Sequence, residues 1–219
     1  MVAREGQRVA DVVGPIPQVN RYAESELPTE WGSFHVTVFR TAEGQEHLAI
    51  QLGELVGATA AAVRVHSECF TGEVLHSLRC DCREQLAAAF RYIASAGLGT
   101  VVYLRQEGRG IGLGNKIRAY ALQDRGLDTV DANRFLGFDD DLRGYGAAVA
   151  ILRALQVSSV RLITNNPSKI AALRAGGITV AGRIASTVLP NQHNRKYLDT
   201  KRRRMGHLIE PVAIVPDDD

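Results

Sequence analysis

The sequence predicts an α/β fold, a mixed sheet flanked by helices in a single domain, and three observations carry that expectation. Phe34–Arg40 alternates apolar and polar side chains, the period of a half-buried strand. From about residue 60 to 185, strand-type runs alternate with stretches of helical period, the order of an α/β domain. Thr100–Leu104 is apolar throughout, as a strand buried on both faces must be, and leads straight into a glycine-rich loop and a helical segment.

Residues 1–30 are polar and broken by Pro15, Pro17 and Pro28, so they read as a loosely docked arm. After Phe34–Arg40, the segments His47–Leu52 and Ala61–Val65 read as strands. Leu86, Ala89, Phe90 and Ile93 have i, i+3, i+4 spacing and predict an amphipathic helix over about 83–96. Asp81 and Glu84 have capping-box spacing and would start it. Thr100–Leu104 is the central strand, and 115–124 the helix beyond the glycine-rich loop. Leu142, Tyr145, Val149, Leu152 and Gln156 form a further helical stripe, with Asp141 as its N-cap. Val160–Ile163 is a strand, a helix begins near Pro167, Ile178–Arg183 is the last strand, and Tyr197–Met205 is a basic, partly helical tail. The expected divisions are an arm over 1–30, a catalytic domain over 31–208 and a tail over 209–219.

The 45% hydrophobic and 23% charged content is that of an ordinary globular protein. A net charge of +2 speaks against a bulk nucleic-acid binder, so any anion site must come from local clustering. No secretory signal and no bilayer-length apolar run is visible, so neither membrane nor nucleic acid is an expected partner. Unpaired cysteines suit the cytoplasm. The runs Arg202–Arg204 and Asp217–Asp219 read as solvated.

All three cysteines, Cys69, Cys80 and Cys82, fall within fourteen residues at C-x10-C-x-C spacing. An odd count cannot pair off as disulfides, and clustered thiolates suit zinc. Three readings stand at this point: a catalytic zinc with an open fourth position, a structural Cys3His site using His66 or His76, or free reduced thiols. Cys80 and Cys82 flank a helix N-terminus, where the dipole favours thiolate.

Two strand-to-helix turns look suited to phosphate. The loop Arg105–Gly114 aims backbone N–H groups outward and has Arg109, Lys116 and Arg118 about it, although by itself such a loop is a weak signal. Lys116 and Tyr120, four apart, share a helix face. Thr164, Ser168 and Lys169 form the second turn. Together with a thiolate zinc, these turns suit a hydrolase acting on a nucleoside polyphosphate.

The motifs Arg64–Cys69 (RVHSEC), Ser77–Cys82 (SLRCDC), Arg105–Gly112 (RQEGRGIG), Asn115–Asp124 (NKIRAYALQD) and Leu162–Pro167 (LITNNP) closely resemble those of GTP cyclohydrolase II, an enzyme of riboflavin biosynthesis. The resemblance covers about residues 34–208. Family members are often fused to a dihydroxybutanone-phosphate synthase domain; the 63 residues before Arg64 suggest the single-function form. The resemblance implies zinc on Cys69, Cys80 and Cys82, with its water attacking C8 of guanine and formate leaving after a second hydrolysis. It implies pyrophosphate release by attack of Arg143 on the α-phosphate, with Asp141 as proton acceptor and Tyr120 assisting at the ring. An electrostatic clamp is the alternative role for Arg143. GTP contacts map onto Arg64, Val65, His66, Ser67, Glu68, Gln85, Glu107, Gly108, Arg109, Thr129, Thr164 and Lys169. Glu68 and Glu107 are carboxylates able to accept from the N1/N2 edge of guanine. Magnesium is expected with the triphosphate, and a homodimer as the assembly.

Zinc acidifies its water as a Lewis acid, and three anionic thiolates weaken that effect relative to neutral histidines. Leu142 stands where many relatives have a polar residue and is expected only to pack. Some relatives stop at the formamide, a behaviour tied to loss of the tyrosine matched by Tyr120, so its presence favours the complete reaction. The reading from another class is a non-catalytic guanine-nucleotide-binding module with structural zinc.

Overall fold

Alternating side chains over the first half of the chain and apolar runs over the second build one seven-stranded sheet in the computed structural model, which describes residues 13–208. The strands are β1 (Val19–Thr29), β2 (Gly32–Thr41), β3 (Glu46–Leu52), β4 (Ala61–Ser67), β5 (Gly99–Leu104), β6 (Val160–Ile163) and β7 (Val180–Ile184). Their order is β1-β2-β3-β5-β4-β6-β7. Pairs from β1 to β5 are antiparallel and pairs from β5 to β7 are parallel, so the sheet is mixed, with its antiparallel part built from the N-terminal strands. The helices among the described residues are α1 (Phe70–Glu73), α2 (Cys82–Ala96), α3 (Gly112–Gln123), α4 (Thr129–Phe135), α5 (Gly146–Ala154), α6 (Pro167–Ala175) and α7 (Arg195–Met205).

The two-residue period of β4 and β5 divides the core. Val63, Val65, Val102 and Leu104 face α5 and α6, packing on Val149, Leu152 and Leu173. Ala62 and Val101 face α2 and pack with Phe90, Ile93 and Phe34. Trp31 stacks on Phe90 at 4.8 Å between ring centroids, and Phe34 meets the same ring edge-on. Each fully buried side chain of this size stabilises the fold by about 1.5–3 kcal/mol. On the α2 face the same alternation leaves Arg64 and His66 buried polar residues towards the end of β4.

Four local expectations change. The arm is ordered from Val13: β1 pairs along β2, and Val13 O accepts the Tyr145 N–H at 3.0 Å. Nearly every β1 side chain is exposed, so no apolar alternation betrayed the strand. Residues 1–12 and 209–219, including Asp217–Asp219, lie outside the described residues. The capping box does not form: Asp81 is the N-cap of α2 by position, yet its side chain bonds to Lys201 and Gln85, and Glu84 pairs with Arg83. The stripe from Leu142 becomes helical only at Gly146, with Tyr145 as N-cap. The backbone before it is held elsewhere, Leu142 N–H by Arg109 O and Tyr145 N–H by Val13 O, so Asp141 caps nothing and Leu142 is half exposed in a loop. The run Arg202–Arg204 is not merely solvated, because Arg204 bonds to Asp128 and Asp131 and ties α7 to α4.

No helix among the described residues is long and apolar enough to cross a membrane.

A Cβ at Gly146 would lie 2.0 Å from Pro15 O, a backbone atom that cannot swing aside. Gly146→Ala is expected to lower stability by about 1–3 kcal/mol through this overpacking, read as a fall in the urea midpoint with the denaturant slope unchanged.

Candidate active site

In an open α/β sheet, ligands bind beyond the carboxyl ends of the parallel strands. Here β4 delivers Glu68 and Cys69, β5 delivers the loop Arg105–Gly112, and β6 delivers Thr164 to Lys169. These segments, with α3, α4 and α7, enclose a cavity that opens to solvent.

At one end, Cys69, Cys80 and Cys82 converge with all three sulfurs within 4.8 Å of one another. Cys69 Sγ and Cys80 Sγ are 3.6 Å apart, close to the ~3.8 Å that two ~2.3 Å zinc–sulfur bonds subtend in a tetrahedral site. The donor set and its spacing therefore fit zinc. Among the described residues no histidine or carboxylate joins the trio. Hydrogen bonds from Cys80 and Cys82, backed by Lys116, hold the Cys69 thiol far below its ordinary value. The Cys69 sulfur in turn pushes Cys80 up to about 11 and Cys82 well above its ordinary value. The approach is close because residue 72 is glycine; a Cβ there would meet Cys80 Sγ at 2.8 Å and Cys69 Sγ at 3.3 Å.

His66 is neutral and tied away from the trio. Its Nε2 lies 2.7 Å from Glu73 Oε1, its ring stacks on Tyr103, and Tyr103 Oη donates to Glu73 Oε2 at 2.5 Å. Burial, then Arg64 and Lys169, hold His66 well below the imidazole range, and burial pushes Glu73 up to about 7.

The rest of the lining is rich in cations. Arg64 donates to Ile163 O and to Gln85, Gln85 donates to Asp81, and Lys201 Nζ reaches Asp81 Oδ1 at 2.7 Å. Burial alone would raise Asp81; Lys201 and the Gln85 bond bring its carboxyl below the ordinary range. Lys169, buried, donates to Val65 O at 2.8 Å. Arg143 Nε and Nη2 grip Asp141 at 2.8 and 2.5 Å, and the Arg143 N–H also donates to Asp141, closing a tight loop. Both terminal nitrogens of Arg109, Arg64 Nε and His66 Nδ1 are buried without a hydrogen-bond partner. Buried polar atoms left unpaired in a polar cavity mark the place of a ligand. Arg109 also sits at φ +61°, a left-handed conformation that costs a non-glycine residue about 1 kcal/mol or more.

Of the residues expected at the site, Arg64, His66, Ser67, Glu68, Gln85, Glu107, Gly108, Arg109, Tyr120, Thr129, Arg143, Thr164, Lys169 and the three cysteines all line this cavity. Val65 and Asp141 stand behind the wall, one holding Lys169 and the other Arg143. Glu107 has its acceptor sites taken by Phe70 N–H, Gly108 N–H and Lys116, which leaves Glu68 the freer carboxylate. Lys116 turns to Cys69 and Glu107, Arg118 is exposed and bonds to Asn115, and Ser168 is not part of the lining. Tyr197, Lys201, His207, Asn133 and Asn165 line the cavity without having been expected. Tyr197 and Lys201 are four apart in a helical stretch, a spacing that signals one shared face.

The model of the family described as GTP cyclohydrolase II matches residues 20–185. A GTP cyclohydrolase-2 of Histophilus somni (strain 2336) is 49% identical over 193 residues, covering 88% of this chain and 89% of that protein. One from Picrophilus torridus is 49% identical over 188 residues, covering 86% and 98%. The riboflavin biosynthesis protein RibBA of Chlamydia trachomatis is 52% identical over 194 residues, covering 88% of this chain and 46% of that protein.

Two outcomes test this geometry. Gly72→Ala is expected to splay the sulfurs and cut metal content at least tenfold while the far-ultraviolet dichroism stays native, as read by metal analysis of the purified protein. Burial, then Lys201 and Arg143, hold His207 at about 3, far below its ordinary 6.5. The unfolded chain takes up this proton below about 6.5 and the folded chain does not, so the group's contribution to stability is lost as pH falls from 6.5 towards 3. His207→Gln should flatten that loss, measured by urea unfolding at about pH 7 and pH 5.

Proposed function

The chain belongs to the GTP cyclohydrolase II family of riboflavin-biosynthesis hydrolases, and from that premise we propose that it converts GTP to 2,5-diamino-6-ribosylamino-4(3H)-pyrimidinone 5′-phosphate, formate and pyrophosphate. One observation carries the reading: a three-sulfur cluster and unpartnered cationic donors share one cavity, so a base and a polyphosphate can be held within it. Zinc held by Cys69, Cys80 and Cys82 supplies a Lewis acid for hydrolysis at the guanine ring.

The chain's own groups divide the remaining work. Glu68 accepts from the donor edge of guanine, and Arg64, Ser67, Gln85 and Thr129 shape the walls around the nucleoside. Tyr120, its hydroxyl pushed up to about 12 chiefly by burial, remains a proton donor at the ring. Arg109, Lys169 and Thr164 take the phosphates, with magnesium as the triphosphate's counter-ion.

Arg143 and Asp141 serve the α-phosphate. Burial alone would lower Arg143; Tyr145 and Asp141 raise it above the ordinary guanidinium range, so the resting group is a cation that grips phosphate. Attack on phosphorus requires its proton to pass to Asp141, which already holds the guanidinium by two bonds. A guanylylated Arg143, sought by mass spectrometry of quenched protein, distinguishes attack from clamping. The proposed assembly is a homodimer in the cytoplasm.

Incubation of zinc-loaded protein with GTP is expected to release formate and pyrophosphate; intact GTP would instead support the binding-module reading. A product retaining its formyl group would mark the truncated reaction. Cys80→Ser should lose metal and ring opening yet keep pyrophosphate release, and Arg143→Ala should lose pyrophosphate release; the two products are assayed separately. Loss of both activities from folded Cys80→Ser would overturn the division of labour.

A further inference from the structure

Lys116 does not point at the phosphates. Its Nζ lies 3.1 Å from Cys69 Sγ and 2.8 Å from Glu107 Oε1, and its side chain is only 12% exposed. The ring of Tyr120, one turn along α3, stands 5.9 Å from the same ammonium. Glu107 carries the contact onward, accepting from the Phe70 N–H and Gly108 N–H at 2.6 Å each. One lysine thus joins α3 to the first cysteine and, through Glu107, to the residue after it and to the glycine-rich loop.

We propose that Lys116 is a positioning residue for the metal centre, donating to the Cys69 thiolate and offsetting one of its negative charges. The inference rests on the reading of the cysteine trio as a zinc site. A divalent ion with three thiolates carries one net negative charge, which diminishes its strength as a Lewis acid; the Lys116 ammonium, shared between Cys69 and Glu107, offsets part of that charge at the sulfur it touches. A hydrogen bond to a ligand sulfur withdraws electron density from it, as partners around metal-bound thiolates do generally. Lys116 therefore restores the electrophilicity that an all-thiolate site forfeits, while holding Cys69 in register with the loop that carries Arg109.

Cobalt(II) substitution reads this directly, because thiolate-to-cobalt charge-transfer bands report the electron density on sulfur. In Lys116→Met these bands should move to longer wavelength, and kcat for GTP should fall about tenfold or more with little change in KM. Lys116→Arg, which keeps charge and donors, should return the bands towards their wild-type position. Lys116→Gln, with a donor but no charge, should fall between. Unshifted bands in folded Lys116→Met would overturn the proposal while leaving the metal site standing. Absence of thiolate–cobalt bands in the wild type would overturn the zinc reading itself, and this inference with it.

Discussion

The buried ion pair between Asp81 and Lys201 holds the two halves of this site together. Asp81 lies between Cys80 and Cys82, and Lys201 comes from the last helix, 120 residues later. Both side chains are almost fully buried, at 3% and 9% exposure. Such a pair contributes little net stability, because desolvation consumes most of the Coulombic gain, but removing one partner leaves a charge with no solvent. Its consequence is geometric. With α7 held against the turn between the cysteines, Tyr197 and His207 become walls of the cavity. The same carboxylate reaches Gln85, and Gln85 reaches Arg64, so the turn, α2 and β4 share one network.

The cavity brings opposite charges into one space. Three sulfurs and the Glu68 carboxylate line it together with the cations Arg64, Arg109, Arg143, Lys169 and Lys201. Only Arg143 and Lys201 of the cations have a carboxylate to themselves. A site with that surplus is completed by an anion, and the chain's net charge of +2 shows that clustering rather than composition creates it. The sheet gathers these groups: parallel β5, β4 and β6 finish side by side, and each contributes a loop from its carboxyl end.

Where local chemistry governs, the sequence was legible. Period-two alternation located β2, although Thr37 and Phe39 rather than Val36 and Val38 are buried; the continuous apolar run located β5, and the 3.6-residue stripe located α2, whose buried face it reports. The α6 cap was legible for the same kind of reason: Asn166 accepts from Ser168 N–H and Pro167 occupies the first turn. The edge strand β1 was not, because nearly all its side chains are exposed and its main tie is the backbone ladder to β2. Nor was the loop before α5, whose backbone is held by Arg109 and Val13 rather than by its own turn.

The sequence by itself determined the kinds of groups available. Three clustered thiols, two basic strand-to-helix turns and the resemblance of its motifs to GTP cyclohydrolase II were all present in the order of residues. Only the tertiary structure decided how those groups are spent. It turned Lys116 from phosphate to sulfur, took up the carboxylate of Glu107 with three donors and closed the loop between Asp141 and Arg143. It also brought a basic tail down as a wall of the cavity. The reason is physical: a long charged side chain carries no direction of its own. Its partner is whichever opposite charge the fold buries beside it, and that depends on how the chain folds back, across 47 residues for Lys116 and Cys69 and 120 for Lys201 and Asp81.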